Sequence, residues 1–335
     1  MLLFGGESSE HEVSISSARN VFAALDDAKY DIILGYIDQT GKWWLLDGFS
    51  DSIDTTGLLQ IVPVLGTGGF VTIPETEAVT SDVIFPILHG KNGEDGTVQG
   101  LAQLVHIPIV GCKVAASAIS MDKVFTNQLL GFNNIKTVPY EVHVSGEPFS
   151  SYGQLSDRLG GPLFVKPANG GSSVGISKVN NDEELSIAIV EAHKHDSKIL
   201  IEKAIKAREL EVAILGSGSK ARASGVGEII PDREFYNYDS KYDASSQTQV
   251  IIPADIPANI SQEIRDIALD AYSKLGCNGM ARIDFFLSDD DVVYLSEVNT
   301  IPGFTNISMY PKLWRQEGLS YSGLIDALIN DALEK

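Results

Sequence analysis

Only two cysteines occur in 335 residues, Cys112 and Cys277. Each follows a glycine in an apolar setting and neither belongs to a CxxC pair. That argues against a zinc site and for small buried thiols in a reducing cytoplasm. Basic residues are also scarce: 25 Lys and Arg face 45 Asp and Glu, for a net charge of −20. The shortage is sharpest in residues 1–112, where four basic side chains stand against fifteen acidic ones. Such a surface repels nucleic-acid backbones and anionic lipid, so neither is expected as a partner. Any phosphorylated ligand must be met by a few locally gathered cations. No apolar run approaches the ~20 residues needed to span a bilayer. The chain does not open on a basic segment leading into an apolar one, so no signal peptide is expected. Two common nucleotide signatures are missing as well, the GxGxxG turn and the Walker loop ending in Gly-Lys-Ser/Thr.

What is present reads as α/β in the first third. Met1–Phe4 runs into Gly5-Gly6 like the end of a strand that begins abruptly. Glu12–Leu25 has helical spacing, Asp31–Ile37 and Trp43–Leu45 look like strands, and Val83–Leu88 is a wholly apolar strand of the buried parallel kind. Gly96–Leu104 predicts a helix and Ile107–Val110 another strand, closing an open α/β unit near Cys112. Ala115–Leu130 predicts one helix. From about Tyr140 the pattern becomes α+β. Short strands are expected at 163–165, 175–179, 199–202, 210–215 and 225–230, with helices at roughly 182–194 and 261–275. Residues 231–250 are polar, aperiodic and rich in Tyr, Asp and Ser, as expected of a mobile functional loop.

Chemistry concentrates toward the C-terminal end. Ala281–Ser288 and Val292–Thr300 both alternate, with Asp289–Asp291 between them as a hairpin turn. Side chains two apart share a strand face, so Arg282 goes with Asp284 and Glu297 with Asn299. A two-residue turn would set Asp284 opposite Glu297 and Arg282 opposite Asn299; a slip of one would part the sets. Two carboxylates and an amide oxygen suit a hard cation such as Mg²⁺, and the adjacent Arg suits an anionic transition state. Upstream, Lys166-Pro-Ala-Asn-Gly-Gly-Ser-Ser-Val-Gly175 lies between two apolar strands. It is either a glycine-rich hairpin over a triphosphate or an ordinary mobile loop. Glu202-Lys203, ending an apolar strand, reads equally as a nucleotide-reading hinge or as surface charge. His89 lies in a glycine-rich loop at a strand's C-terminal end, where open α/β sheets place ligands.

Taken together, FGGESSEHEVS, LHGKNGEDGTVQG, MDK, VKPANGGSSVG, ARIDFF and EVNTIPGFT occur in the order and spacing of the D-alanine–D-alanine ligases. The resemblance covers essentially the whole chain. It implies an N-terminal open α/β (preATP-grasp) domain over 1–112 and a two-part ATP-grasp fold over 113–205 and 206–335. The implied activity joins two D-alanines through an acyl phosphate made from ATP, for peptidoglycan precursors. By the same resemblance, Lys123 and Lys166 hold phosphates, Ser172 and Ser173 lie in the phosphate lid, and Glu202, Lys203 and Ile205 line the adenine pocket. Glu209 takes the ribose, while Asp284, Glu297 and Asn299 bind two Mg²⁺, for which Mn²⁺ can substitute. Glu10 receives the first D-alanine's ammonium with His89 nearby. Arg282 and the Gly303 N–H stabilise the tetrahedral intermediate. Lys241, Ser308 and Met309 receive the second substrate's carboxylate, and Tyr242 joins Ser172 and Glu10. A homodimer is implied too. The rivals are another ATP-grasp ligase, a ligase making the D-lactate or D-serine product, and a non-catalytic ATP-binding regulator.

Overall fold

The computed structural model describes residues 1–50, 52–171, 174–231 and 248–334. Three sheets account for its strands. The first has seven strands: β1 (Leu2–Gly5), β2 (Leu34–Ile37), β3 (Trp43–Leu46), β4 (Gln60–Val64), β5 (Gly69–Ile73), β6 (Ala78–Thr80) and β7 (Phe85–Ile87), in the order β6-β5-β4-β3-β2-β1-β7. β1 is parallel to both neighbours and entirely buried, as its apolar run requires. From β2 outward the pairing is antiparallel. Sequence pattern did not signal β4–β6, because Pro63 and the Gly66–Gly69 turn interrupt their alternation. Conversely, Ile107–Val110 is not a strand. It makes a single parallel bridge, Ile84 to Ile109, and Pro108 has no N–H with which to extend it.

Helix α1 (His11–Ala24) packs beneath this sheet, and α2 (Thr97–Val105) follows the His89 loop. The helix expected over 115–130 is two helices, α3 (Val114–Met121) and α4 (Lys123–Phe132). Asp122 breaks them apart: its backbone is extended and its carboxylate accepts from the N–H groups of Val124 and Phe125. The break puts Lys123 at the first position of α4.

The second sheet is antiparallel, ordered β10-β9-β11-β8 from β8 (Tyr140–Val144), β9 (Leu163–Pro167), β10 (Ser177–Val179) and β11 (Lys198–Lys203). Helices α5 (Tyr152–Leu159) and α6 (Asp182–Ala192) cover it with their own apolar cluster around Leu163, Leu185 and Ile199. The third sheet, β14-β13-β12-β15-β16, comprises β12 (Ala207–Leu215), β13 (Arg222–Ile230), β14 (Gln249–Ile251), β15 (Met280–Ser288) and β16 (Val293–Asn299). Helix α7 (Ala258–Lys274) lines one face of it. The C-terminal α8 (Met309–Gln316) and α9 (Tyr321–Leu333) pack between it and the first sheet. Trp314, Tyr310 and Phe304 share one core with Phe4 and Phe85, so the first and last thirds of the chain are joined by apolar burial. Among the described residues no helix is long and apolar enough to cross a membrane.

Candidate active site

The β15–β16 hairpin sets the geometry. Asp284 lies opposite Glu297 and Arg282 opposite Asn299, as the alternation suggested, but the turn is not the two-residue one assumed. Ser288 donates its N–H to Val292 O, so Asp289–Asp291 form a three-residue loop with Asp291 at φ 60°. That loop would leave the register one residue out. The pairing shifts between Asp284 and Phe285, leaving Ser296 as an extra residue on β16. The bulge returns Glu297 and Asn299 to the face of Asp284. The sequence held a signal for it: Leu295 and Val298 are both buried, yet three apart.

On that face Arg282 binds Asp284 through two bonds of 2.7 Å, from Nε and Nη2. Asn299 Nδ2 donates to Asp284 Oδ2 at 3.0 Å. Lys123 Nζ lies 3.0 Å from Glu297 Oε1 and donates to Gly170 O at 2.7 Å, tying the third sheet to the glycine-rich loop. Glu211, on β12 opposite Asp284, reaches Arg282 Nε at 3.1 Å. Burial opposes the Arg282 charge, but Asp284 and Glu211 hold the guanidinium charged and its pKa well above the ordinary value. Sequence reasoning passed over Glu211, although a carboxylate inside the apolar run Leu210–Leu215 was visible.

The N-terminal unit holds the next segment. The His89 ring, through Nδ1, bonds Ile301 O at 3.1 Å, and Glu94 Oε1 accepts from Ile301 N–H at 3.3 Å. On α1, Ser17 Oγ accepts from Phe304 N–H and Asn20 donates to Phe304 O, both at 3.3 Å. Gly303 thus sits between two residues whose backbone groups are fixed. Its Cα faces Ser308 so closely that a Cβ would lie 2.8 Å from Ser308 Oγ. Burial pushes the His89 imidazole pKa down against the pull of the Glu10 charge, which favours the neutral ring. With Nδ1 donating, His89 Nε2 is an acceptor. The Glu10 carboxylate occupies the space beside Gly90 and Gly171, so the N-terminal loop meets the glycine-rich loop there. Glu10 is the N-cap residue of α1 but makes no side-chain cap bond.

Burial pushes the Glu94 carboxyl up to about 8, with the Glu10 charge adding to it. Its folded-state pKa exceeds the ordinary 4.5, so the stability it contributes is full below that value and is lost as pH rises toward 8. Relative to Glu94→Gln, which cannot ionise, the protein should lose ~3 kcal/mol of unfolding free energy between about pH 5.5 and pH 8.5. Urea melts of both proteins at the two pH values measure this. An unchanged gap would contradict a protonated Glu94.

The remaining candidates fall as follows. Lys166 on β9 pairs with the buried Glu202 on β11 at 2.6 Å. Lys203 ends β11, Ile205 lies in the connection to β12, and Glu209 is on β12. Ser308 N-caps α8, where its Oγ accepts from Thr305 N–H at 3.0 Å. The Met309 side chain is buried in the core against Gly227, and its backbone N–H lies in the first turn of α8. Ser172, Ser173, Lys241 and Tyr242, with most of the 231–250 loop, lie outside the described residues.

Family profiles match both ends of the chain: "D-ala D-ala ligase N-terminus" over residues 1–112 and "D-ala D-ala ligase C-terminus" over 130–330. The chain belongs to the D-alanine–D-alanine ligase family. It is 45% identical over 347 aligned residues to D-alanine–D-alanine ligase A of Chromobacterium violaceum, covering 100% of this chain and 94% of the relative. Among solved structures, the D-alanine–D-alanine ligase from Coxiella burnetii aligns with TM-score 0.90 and 36% identity over 99% of this chain and 93% of that one. The VanG D-Ala:D-Ser ligase from Enterococcus faecalis gives TM-score 0.90 and 36% identity over 99% and 98%. Membership in the D-alanine–D-alanine ligase family makes this an ADP-forming ligase that uses ATP.

Proposed function

We propose that this chain condenses two D-alanines to D-alanyl-D-alanine in the cytoplasm, as a homodimer, supplying peptidoglycan precursors. The observation that carries the site assignment is the clustering of Asp284, Glu297, Asn299, Arg282 and Lys123 at one end of the β15–β16 hairpin. Its donor atoms fit a divalent cation: two carboxylates and the amide oxygen of Asn299, all hard, on one face. Asp284, Glu297 and Asn299 would hold Mg²⁺, or Mn²⁺ in its place. When bound, the metal neutralises phosphate charge as ATP is attacked.

The chain's own residues do the rest. Lys123 and Lys166 orient the phosphates, with Ser172 and Ser173 covering them. Glu202, Lys203 and Ile205 take adenine, and Glu209 the ribose. Glu10 draws in the first D-alanine's ammonium, and His89 Nε2 can accept one of its protons in a hydrogen bond. The carboxylate so positioned attacks the γ-phosphorus, the bond to the β–γ bridging oxygen breaks, and ADP leaves as an acyl phosphate forms. The second D-alanine's amine, as the free base, then adds to that carbonyl; the tetrahedral intermediate gives up the nitrogen's proton and expels inorganic phosphate, leaving the amide. The Gly303 N–H, fixed by the clamps on Ile301 and Phe304, and Arg282 face the oxyanion. Ser308 Oγ, the Met309 N–H at the start of α8 and Lys241 receive the second carboxylate. Tyr242 joins Ser172 and Glu10 to exclude water from the acyl phosphate. The division into 1–112, 113–205 and 206–335 belongs to the same proposal, supported by each sheet lying within one unit.

D-Alanine is the preferred second substrate. D-alanine–D-alanine ligases of Chromobacterium violaceum and Caldicellulosiruptor bescii, at 45% and 46% identity over the whole chain, support this reading. With ATP, D-alanine and an equal concentration of D-serine or D-lactate, D-alanyl-D-alanine should predominate, over the D-lactate product by roughly ten- to a hundredfold, the worth of one hydrogen bond to the charged ammonium that D-lactate lacks. Chromatography of the products tests this. Predominant D-alanyl-D-serine or D-alanyl-D-lactate would overturn the substrate assignment while leaving the ligase chemistry intact.

A further inference from the structure

Arg282 has two acidic neighbours, and they compete for the same atom. Its Nε lies 2.7 Å from Asp284 Oδ1 and 3.1 Å from Glu211 Oε2, while Nη2 is 2.7 Å from Asp284 Oδ2. The backbone explains the arrangement. Glu211 on β12 is the register partner of Asp284, and Ala213 is the partner of Arg282. The two carboxylates therefore stand side by side, one strand apart, with the guanidinium reaching across both. Glu211 is only 10% exposed in its side chain and Arg282 21%, so water screens the group little. Small Ala213 leaves room for the arginine to lean toward Glu211.

A divalent cation needs oxygens of Asp284 that Arg282 now occupies. An arginine with a single carboxylate partner would resist giving it up, or would swing free once it had. An uncompensated charge in so dry a place is costly. We propose that Glu211 is a positioning residue for Arg282. It takes over the Nε bond when Asp284 turns to the metal, so that the guanidinium keeps its aim at the oxyanion and Asp284 is released. Glu211 touches neither substrate nor metal; it acts through Arg282. The inference rests on Asp284 being a metal ligand.

The test uses the whole protein with a non-hydrolysable ATP analogue and Mn²⁺ followed by electron paramagnetic resonance, alongside steady-state kinetics. In Glu211→Gln only a neutral amide oxygen faces Arg282 Nε in place of the second carboxylate. Mn²⁺ affinity should fall about 3- to 10-fold and kcat about 10- to 100-fold, with KM for ATP little changed, for the loss of one charge-assisted bond. Glu211→Asp keeps the charge, so it should recover most of the Mn²⁺ affinity and part of kcat. It also keeps the experiment decisive should the glutamine variant fold poorly. Wild-type Mn²⁺ affinity and kcat in Glu211→Gln would overturn the proposal, as would a Glu211→Asp variant no better than Glu211→Gln or, if that does not fold, with less than half the wild-type Mn²⁺ affinity. Asp284→Asn separates this from failure of the metal assignment. If that variant binds Mn²⁺ normally, the metal reading itself is wrong. If it binds weakly while Glu211→Gln binds normally, only the role of Glu211 fails.

Discussion

Glu297→Gln should lose roughly 10²- to 10³-fold in kcat at saturating Mg²⁺ while melting within a few degrees of the wild type. The side chain is a third exposed and lies 3.0 Å from Lys123 Nζ, so its removal leaves the core of Val293, Leu295 and Val298 untouched. What is lost is one formal charge at the point where phosphate charge must be balanced. Glutamine fills the same space and keeps an oxygen, so a steric explanation is not available. Turnover near the wild-type value would mean that Glu297 is not a metal ligand.

Arg282→Lys should be nearly as damaging, by about 10²-fold or more in kcat, with the fold retained. Lysine keeps the positive charge between Asp284 and Glu211, which protects stability. It cannot reproduce the fork that binds Asp284 through Nε and Nη2 while Glu211 also reaches Nε. Arg282→Ala is a different experiment, since it strands two mostly buried carboxylates and should cost ~3–5 kcal/mol of stability as well. Kinetics and melts of both variants separate aim from charge. Full activity in Arg282→Lys would show that charge alone suffices.

Much of this was legible in the residues because the chemistry is carried by alternation. Arg282, Asp284, Glu297 and Asn299 each fall two apart on strands whose other positions are apolar, and the structure aligns them as that pattern requires. The reason was incomplete: a three-residue turn and a bulge at Ser296 offset one another, and turn length alone would have given the opposite face. The outer strands of the first sheet, β4 to β6, were not legible. Pro63 and the Gly66–Gly69 turn hide β4 and β5, whereas the apolar run at 107–110 imitates a strand that Pro108 prevents. Contacts between distant segments were also out of reach. No local pattern tells that His89 and Glu94 hold the two backbone groups of Ile301, or that Ser17 and Asn20 hold those of Phe304. These contacts are made by tertiary packing alone, and they hold the backbone on either side of Gly303.

The most direct measurement follows ADP release and product together, in the presence of ATP and Mg²⁺, with and without D-alanine. The account predicts ADP only when D-alanine is present and one D-alanyl-D-alanine for each ADP. ADP formation independent of D-alanine, or ADP without the dipeptide, would contradict it.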